Sequence, residues 1–120
     1  MDDDADLCEL ITVALEAQGY RVLTSCNGRH GCDLALEMRP DGILCDLLMP
    51  EMTGFEAINR LREDPRTSRI PIAVITGERH LRYHPAAPRC AAWIDKPFDI
   101  ADLVETTAHL LASQSTPVAV

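Results

Sequence analysis

Four groups of polar residues stand at the ends of strand-like runs or at the start of a helical one. Asp46 follows GILC, Thr76 follows IAVI, Lys96 follows AWID, and Asp2-Asp3-Asp4 precede the first helical pattern. Parallel α/β sheets bind their ligands outside the carboxyl ends of the strands, so these residues are candidates for one shared site. Three or four carboxylates meeting there cannot all stay ionised without a cation, because unit charges about 4 Å apart repel by about 4 kcal/mol even at an effective dielectric near 20. Oxygen donors with room for water suit Mg²⁺ better than zinc or copper. A metal, a carboxylate nucleophile, a hydroxyl and an ammonium together make a phosphoryl-transfer constellation. Lys96 stands out further, as the single lysine among 11 basic residues.

Each candidate also has a plainer reading. Asp46 alone would be a strand-end carboxylate capping a turn. Asp2 to Asp4 would be a solvated helix cap, and one of the three is expected to do only that. Thr76 would satisfy its hydroxyl on nearby backbone, Lys96 would be a surface charge, and Trp93 would be a core or half-buried aromatic. Cys45 precedes Asp46 and points to the opposite side of its strand, which makes it a packing residue. His30, His80, His84 and His109 have no metal-ligand spacing and read as surface residues, and Gly28-x-x-Gly31 reads as a helix entry.

The elements that must position these groups alternate. Leu7, Leu10, Ile11, Ala14 and Leu15 recur at intervals of three and four until Gly19, predicting an amphipathic helix over about residues 5–18. A strand over 21–25, a helix over 28–38 closed by Pro40, and an apolar strand over 42–46 follow. Phe55, Ile58 and Leu61 space a third helix that stops at Asp64-Pro65. Strands are predicted over 70–75 and 92–94, and Asp99 caps a last helix carrying Ile100, Leu103, Val104, Thr107 and Leu111. Between Glu78 and Arg89, Pro85 and Pro88 predict a short or broken helix. Strands alternating with helices give a parallel sheet covered on both faces.

The chain has 120 residues, enough for one domain, and a net charge of −8 that offers no basic surface to nucleic-acid phosphates or anionic membranes. The first twenty residues carry six acids and no Lys or Arg, unlike a secretory signal. No apolar run approaches the roughly 20 residues that span a bilayer. Five cysteines, none spaced C-x-x-C, suggest neither a disulfide framework nor a zinc site, and a reducing cytoplasm is the simplest setting. Residues 113–120 (SQSTPVAV) have the composition of a tail or linker, leaving 1–112 as the domain.

The elements DDDADL at 2–7, CDLLMPEMTGFE at 45–56, VITG at 74–77 and DKPFD at 95–99, in this order and spacing, resemble the receiver domain of two-component response regulators across nearly the whole chain. The resemblance implies a flavodoxin-like doubly wound parallel sheet in order 2-1-3-4-5. It implies Asp46 as phosphoacceptor, Thr76 as switch hydroxyl, Lys96 as the phosphate-contacting lysine and Trp93 as the aromatic switch position. Mg²⁺ would be held by Asp3, Asp46 and the backbone carbonyl of Leu48, with Asp2 acting through water. Such a domain is no conventional enzyme. Its partners would be a sensor histidine kinase or phosphotransfer protein and a downstream output protein or domain, with no direct nucleic-acid or membrane contact. Leu48 supplies no side-chain base to position water, which favours a long-lived phosphoryl state.

Two features depart from the family's pattern. Only Met1 precedes Asp2, where a buried apolar strand would form the middle of the sheet. Five buried aliphatic side chains contribute on the order of 10 kcal/mol, at roughly 2 kcal/mol each, as much as a whole domain's typical stability. The first strand is therefore expected to be missing, with three ways to complete the sheet: an earlier natural start, which is favoured, a closing-up of four strands, or a strand donated by a partner. The second departure is the interrupted helix between Glu78 and Arg89. Two further readings compete with the phosphoacceptor: a degenerate receiver that binds proteins without phosphorylation, and a phosphatase with an aspartate nucleophile. The latter wants a second aspartate where the chain has Leu48.

Overall fold

The computed structural model describes residues 1, 4–25, 27–47, 53–77, 92–111 and 118–119. Its elements in chain order are α1 (Ala5–Glu16), β1 (Val22–Leu23), α2 (Gly28–Met38), β2 (Gly42–Asp46), α3 (Gly54–Glu63), β3 (Ile72–Thr76), β4 (Ala92–Asp95), α4 (Ile100–Leu110) and β5 (Val118–Ala119). The helix starts follow local chemistry. The Asp4 carboxylate accepts from the Leu7 amide at 3.1 Å, so Asp4 is the member of the acidic triplet that caps α1. The Asn27 side chain accepts from the His30 amide at 2.8 Å, and Thr53 and Glu56 form a reciprocal capping box on α3. Asp99 occupies the N-cap of α4 but makes no side-chain cap hydrogen bond, against expectation.

All strands are parallel, in the order β1-β5-β2-β3-β4. Period-two alternation divides the core cleanly. Ile43, Cys45, Ile72 and Val74 pack with Cys32, Ala35, Ala57, Ile58 and Leu61 of α2 and α3 on one face. Leu44, Ala73, Ile75 and Ile94 pack with Cys8, Ile11, Leu15 and Leu103 of α1 and α4 on the other. Both faces are covered, which is why GILC and IAVI are unbroken apolar runs.

The central place of the sheet departs from the sequence reading. Between β1 and β2, where a first strand was expected to be missing, Val118 and Ala119 run parallel to both neighbours. A segment expected as tail or linker thus supplies sheet. Met1 is also in the sheet: its ammonium donates to the Leu44 carbonyl at 2.9 Å, its carbonyl accepts from the Asp46 amide at 2.9 Å, and its side chain is 1% exposed. The flavodoxin-like pattern of positions is therefore kept, with the middle position taken from the chain's ends. The strand expected over 21–25 contracts to Val22–Leu23, and that expected over 70–75 begins two residues later, after Pro71, which has no amide to donate. The helix expected to be broken between Glu78 and Arg89 lies outside the described residues.

Candidate functional site

The site forms at the carboxyl edge of β2, β3 and β4. Asp46 is the last residue of β2 and pairs in register with Ile75, while Thr76 pairs with Asp95, so the ends of the three strands lie level. Lys96 follows β4 directly. Its backbone amide donates to the Thr76 carbonyl at 2.8 Å, which carries the ladder one residue further and fixes where the lysine side chain departs. From there Nζ donates to Asp46 Oδ2 at 2.9 Å. The Asp46 side chain is 8% exposed and that of Lys96 27%, so the contact is a largely dehydrated ion pair rather than a surface one.

The backbone around Asp46 is held from two sides. Its amide donates to Met1, and beyond it the Gly54 amide donates to the Leu47 carbonyl at 2.9 Å. Gly54 approaches so closely that a Cβ there would fall 2.5 Å from Leu47 Cα. The glycine following Met52-Thr53 thus lets α3 start directly against the end of β2.

Of the residues singled out in the sequence, Asp46, Thr76 and Lys96 come together at this edge. Thr76 is fully buried, so a shift of its hydroxyl must displace packed neighbours. Trp93, paired with Val74 in β4, is partly buried against the α2/α3 core. Cys45 is fully buried in the same core, as its place beside Asp46 predicts. Asp2, Asp3 and Leu48 lie outside the described residues, and among the described residues no group of three or more His, Cys, Asp or Glu side chains could hold a metal. The Asp46 carboxylate itself is a hard oxygen donor at a strand edge, which fits Mg²⁺ and not a thiophilic ion. His30 and His109 are exposed, as expected; His80 and His84 lie outside the described residues.

Two contributors were not legible as site residues. Met1 carried no signal beyond an apolar residue ahead of acids, and Gly54 stood in a motif without a geometric role. Beside Lys96 an apolar pocket of about 240 Å³ opens between Leu7, Leu10, Pro97, Phe98 and Ile100, and Leu10 is 54% exposed.

A buried carboxylate clasped by a lysine at the carboxyl edge of a parallel sheet, with helices on both faces, defines a parallel α/β domain whose candidate ligand edge lies at the ends of β2, β3 and β4. The chain belongs to the response regulator receiver domain family, whose model matches residues 1–108. Protein PilH of Pseudomonas aeruginosa is 33% identical over 114 residues, covering 93% of this chain and 94% of PilH. The DNA-binding dual master transcriptional regulator RpaA of Synechocystis is 33% identical over 113 residues, covering 92% of this chain, which spans 47% of RpaA. Among solved structures, chemotaxis protein CheY4 of Vibrio cholerae superimposes with a TM-score of 0.84 at 30% identity, covering 92% of this chain and 93% of that one. The receiver domain of sensor histidine kinase PA1611 from Pseudomonas aeruginosa, described with a magnesium ion coordinated in its active site cleft, gives a TM-score of 0.83 at 25% identity, covering 92% of each chain.

Proposed function

We propose that Asp46 accepts a phosphoryl group from a histidine kinase or phosphotransfer protein, and that the modified domain presents an altered surface to an output protein or domain. The observation that carries this reading is the 2.9 Å contact between Lys96 Nζ and the buried Asp46 carboxylate at the strand edge. In the transfer, an Asp46 carboxylate oxygen attacks the donor's phosphorus, the O–P bond forms as the N–P bond of the phosphohistidine breaks, and the electron pair returns to the imidazole nitrogen, which takes up a proton. Lys96 exchanges its carboxylate partner for a phosphoryl oxygen and so offsets the added charge.

Mg²⁺ would be held by Asp3, Asp46, the Leu48 carbonyl and, through water, Asp2, and it supplies neutralisation of the phosphoryl oxygens. Thr76 is the hydroxyl that follows the phosphoryl group, and Trp93, on the strand tied to Lys96, is the ring that repacks when Thr76 moves. Leu48 offers no base to a hydrolytic water, so the phosphoryl state persists. The apolar pocket beside Lys96 suits a protein partner that must bring its phosphohistidine to Asp46. The setting is cytoplasmic, with no nucleic-acid or membrane contact by the domain itself. An intact Asp46–Lys96 pair argues against a degenerate receiver.

The test uses Trp93, the only tryptophan. Its emission should change on adding Mg²⁺ and again on adding beryllofluoride, and Asp46→Asn should abolish the second change. Saturating beryllofluoride that binds by ¹⁹F NMR while emission stays fixed removes the switch role of Trp93. No binding at all removes the phosphoacceptor role of Asp46.

A further inference from the structure

At the end of the sheet away from Asp46, a cavity of about 260 Å³ opens between the turn into β2 and the loop from α3 to β3. Arg39 and Asp41 stand on one wall, Arg66 and Arg69 on the other. The Ile43 amide donates to the Pro71 carbonyl at 3.0 Å and so ties the two walls together. Asp41 precedes Asp46 by five extended residues, which puts the cavity roughly 16 Å from that carboxylate. Three of the ten arginines of a chain with net charge −8 are gathered here.

Both walls are fixed by backbone chemistry. Arg39, the C-cap of α2, sits in left-handed backbone at φ 45° and ψ 67°. Glycine takes that conformation without a Cβ clash and is the usual residue at such a cap, so an arginine held there at a conformational cost points to a use for its side chain. On the other wall Arg62 Nη1 donates to the carbonyls of Ser68 at 2.9 Å and Ile70 at 2.7 Å, and the buried Thr67 hydroxyl donates to the Leu61 carbonyl at 2.6 Å. The loop carrying Arg66 and Arg69 is thereby strapped to α3.

The donors are largely uncommitted. Arg66 spends Nε and one Nη on Asp64, at 3.1 and 2.8 Å. Among the described residues Arg39 and Arg69 have no side-chain hydrogen bond or ion pair. Asp41, the one acid in the lining, does not take them, and its Oδ2 is buried with no hydrogen-bond partner. A carboxylate fills one guanidinium fork, whereas a phosphate monoester, with three terminal oxygens and nearly two charges, fills two. The prolines at 40, 65 and 71 make the rest of the lining stiff and apolar, which suits a flat or hydrocarbon body. The volume is near the lower end of the roughly 300–1,000 Å³ of small-molecule sites.

We propose that this cavity binds a small organic phosphate, its phosphate held by Arg39 and Arg69 with Arg66 alongside, and its apolar body against the prolines. The site is separate from Asp46 and does not depend on phosphorylation there.

Calorimetric titration and amide NMR of the full chain, without divalent metal, test this with phenyl phosphate as the probe. It should bind one to one with a Kd in the millimolar range or below, shift the amides of Asp41, Gly42, Arg66, Arg69 and Ile70, and leave that of Lys96 in place. Inorganic phosphate, which lacks the body, should bind at least about threefold more weakly, and benzoate at least about tenfold, the factor expected for one lost charge-assisted hydrogen bond. Arg39→Gly should weaken binding at least about tenfold while the melting temperature holds or rises, because glycine relaxes the left-handed cap; a structural role would lower both together. Arg69→Gln should weaken binding to a similar degree, and Asp41→Asn, which removes the like charge from the lining, should tighten it about threefold. Asp46→Asn should bind as the parent does, so the result stands apart from phosphoryl transfer. The proposal is overturned if phenyl phosphate does not saturate, if benzoate binds as well, if Arg39→Gly binds like the parent, or if the shifts centre on Lys96. Tighter binding of tetraglutamate than of phenyl phosphate also overturns it, and makes the cavity a docking site for an acidic protein segment.

Discussion

Replacing Lys96 by Met keeps the apolar stem of the side chain and removes its charge. The Asp46 carboxylate then stays at 8% exposure without its partner at 2.9 Å. Breaking a fully buried pair from one side costs about 3–5 kcal/mol, because the remaining charge is uncompensated. Lys96 is 27% exposed, so water reaches the pair and the expected loss is reduced to about 2 kcal/mol. For a domain of this size that lowers the melting temperature by about 8 °C. The carboxylate carries the effect, so Asp46→Asn should return most of it, and the double variant should be more stable than the sum of the single losses by about 1–2 kcal/mol. Thermal melts of the four proteins, without divalent metal at neutral pH, measure this coupling. A Lys96→Met variant that melts within 1 °C of the parent, or strictly additive losses, refutes the reading of the pair as dehydrated and mutually dependent.

Gly54→Ala should destabilise the chain by about 1–3 kcal/mol, since a methyl group there forces the turn after Asp46 to move; chemical denaturation reads the loss, and Mg²⁺-dependent phosphorylation should slow with it. Asp64 is held at a pKa of about 2, chiefly by its side-chain hydrogen bond from Arg66, so its stabilising effect is present above the ordinary carboxyl range and fades as the pH falls from about 4 towards 2. Carboxyl NMR should find that midpoint, and Arg66→Ala should return it to the usual range. Burial raises the Cys32 thiol above its ordinary value, outweighing the nearby Arg60, so peptide mapping should find Cys32 unalkylated at pH 8 in the native chain and alkylated after denaturation.

Much of this fold was legible because local pattern and burial agree. GILCD reads as a buried strand, and β2 runs from Gly42 to Asp46 as expected. The spacing of Phe55, Ile58 and Leu61 and the stop at Asp64-Pro65 place α3 equally well. Asp46 and Lys96 could be assigned to one site in advance because both stand at strand ends that share one edge, whereas their direct ion pair was not foreseen. The middle of the sheet was not legible. Val118 and Ala119 belong to a four-residue apolar stretch at the end of a polar segment, and their partners Val22 and Gly42 lie more than seventy residues away in sequence. No periodicity within a window of ordinary length reports such a pairing. Met1 was hidden for the same reason: its place follows from Leu44 and Asp46, not from its neighbours in sequence.

The central claim is that Asp46 is the phosphoacceptor, and intact mass spectrometry tests it most directly. The full chain and Asp46→Asn are incubated with saturating acetyl phosphate, each with and without Mg²⁺. One phosphoryl group should be gained by the parent chain in Mg²⁺, and none by the parent without Mg²⁺ or by Asp46→Asn in either condition. No gain by the parent in Mg²⁺, or an equal gain by Asp46→Asn, contradicts the account.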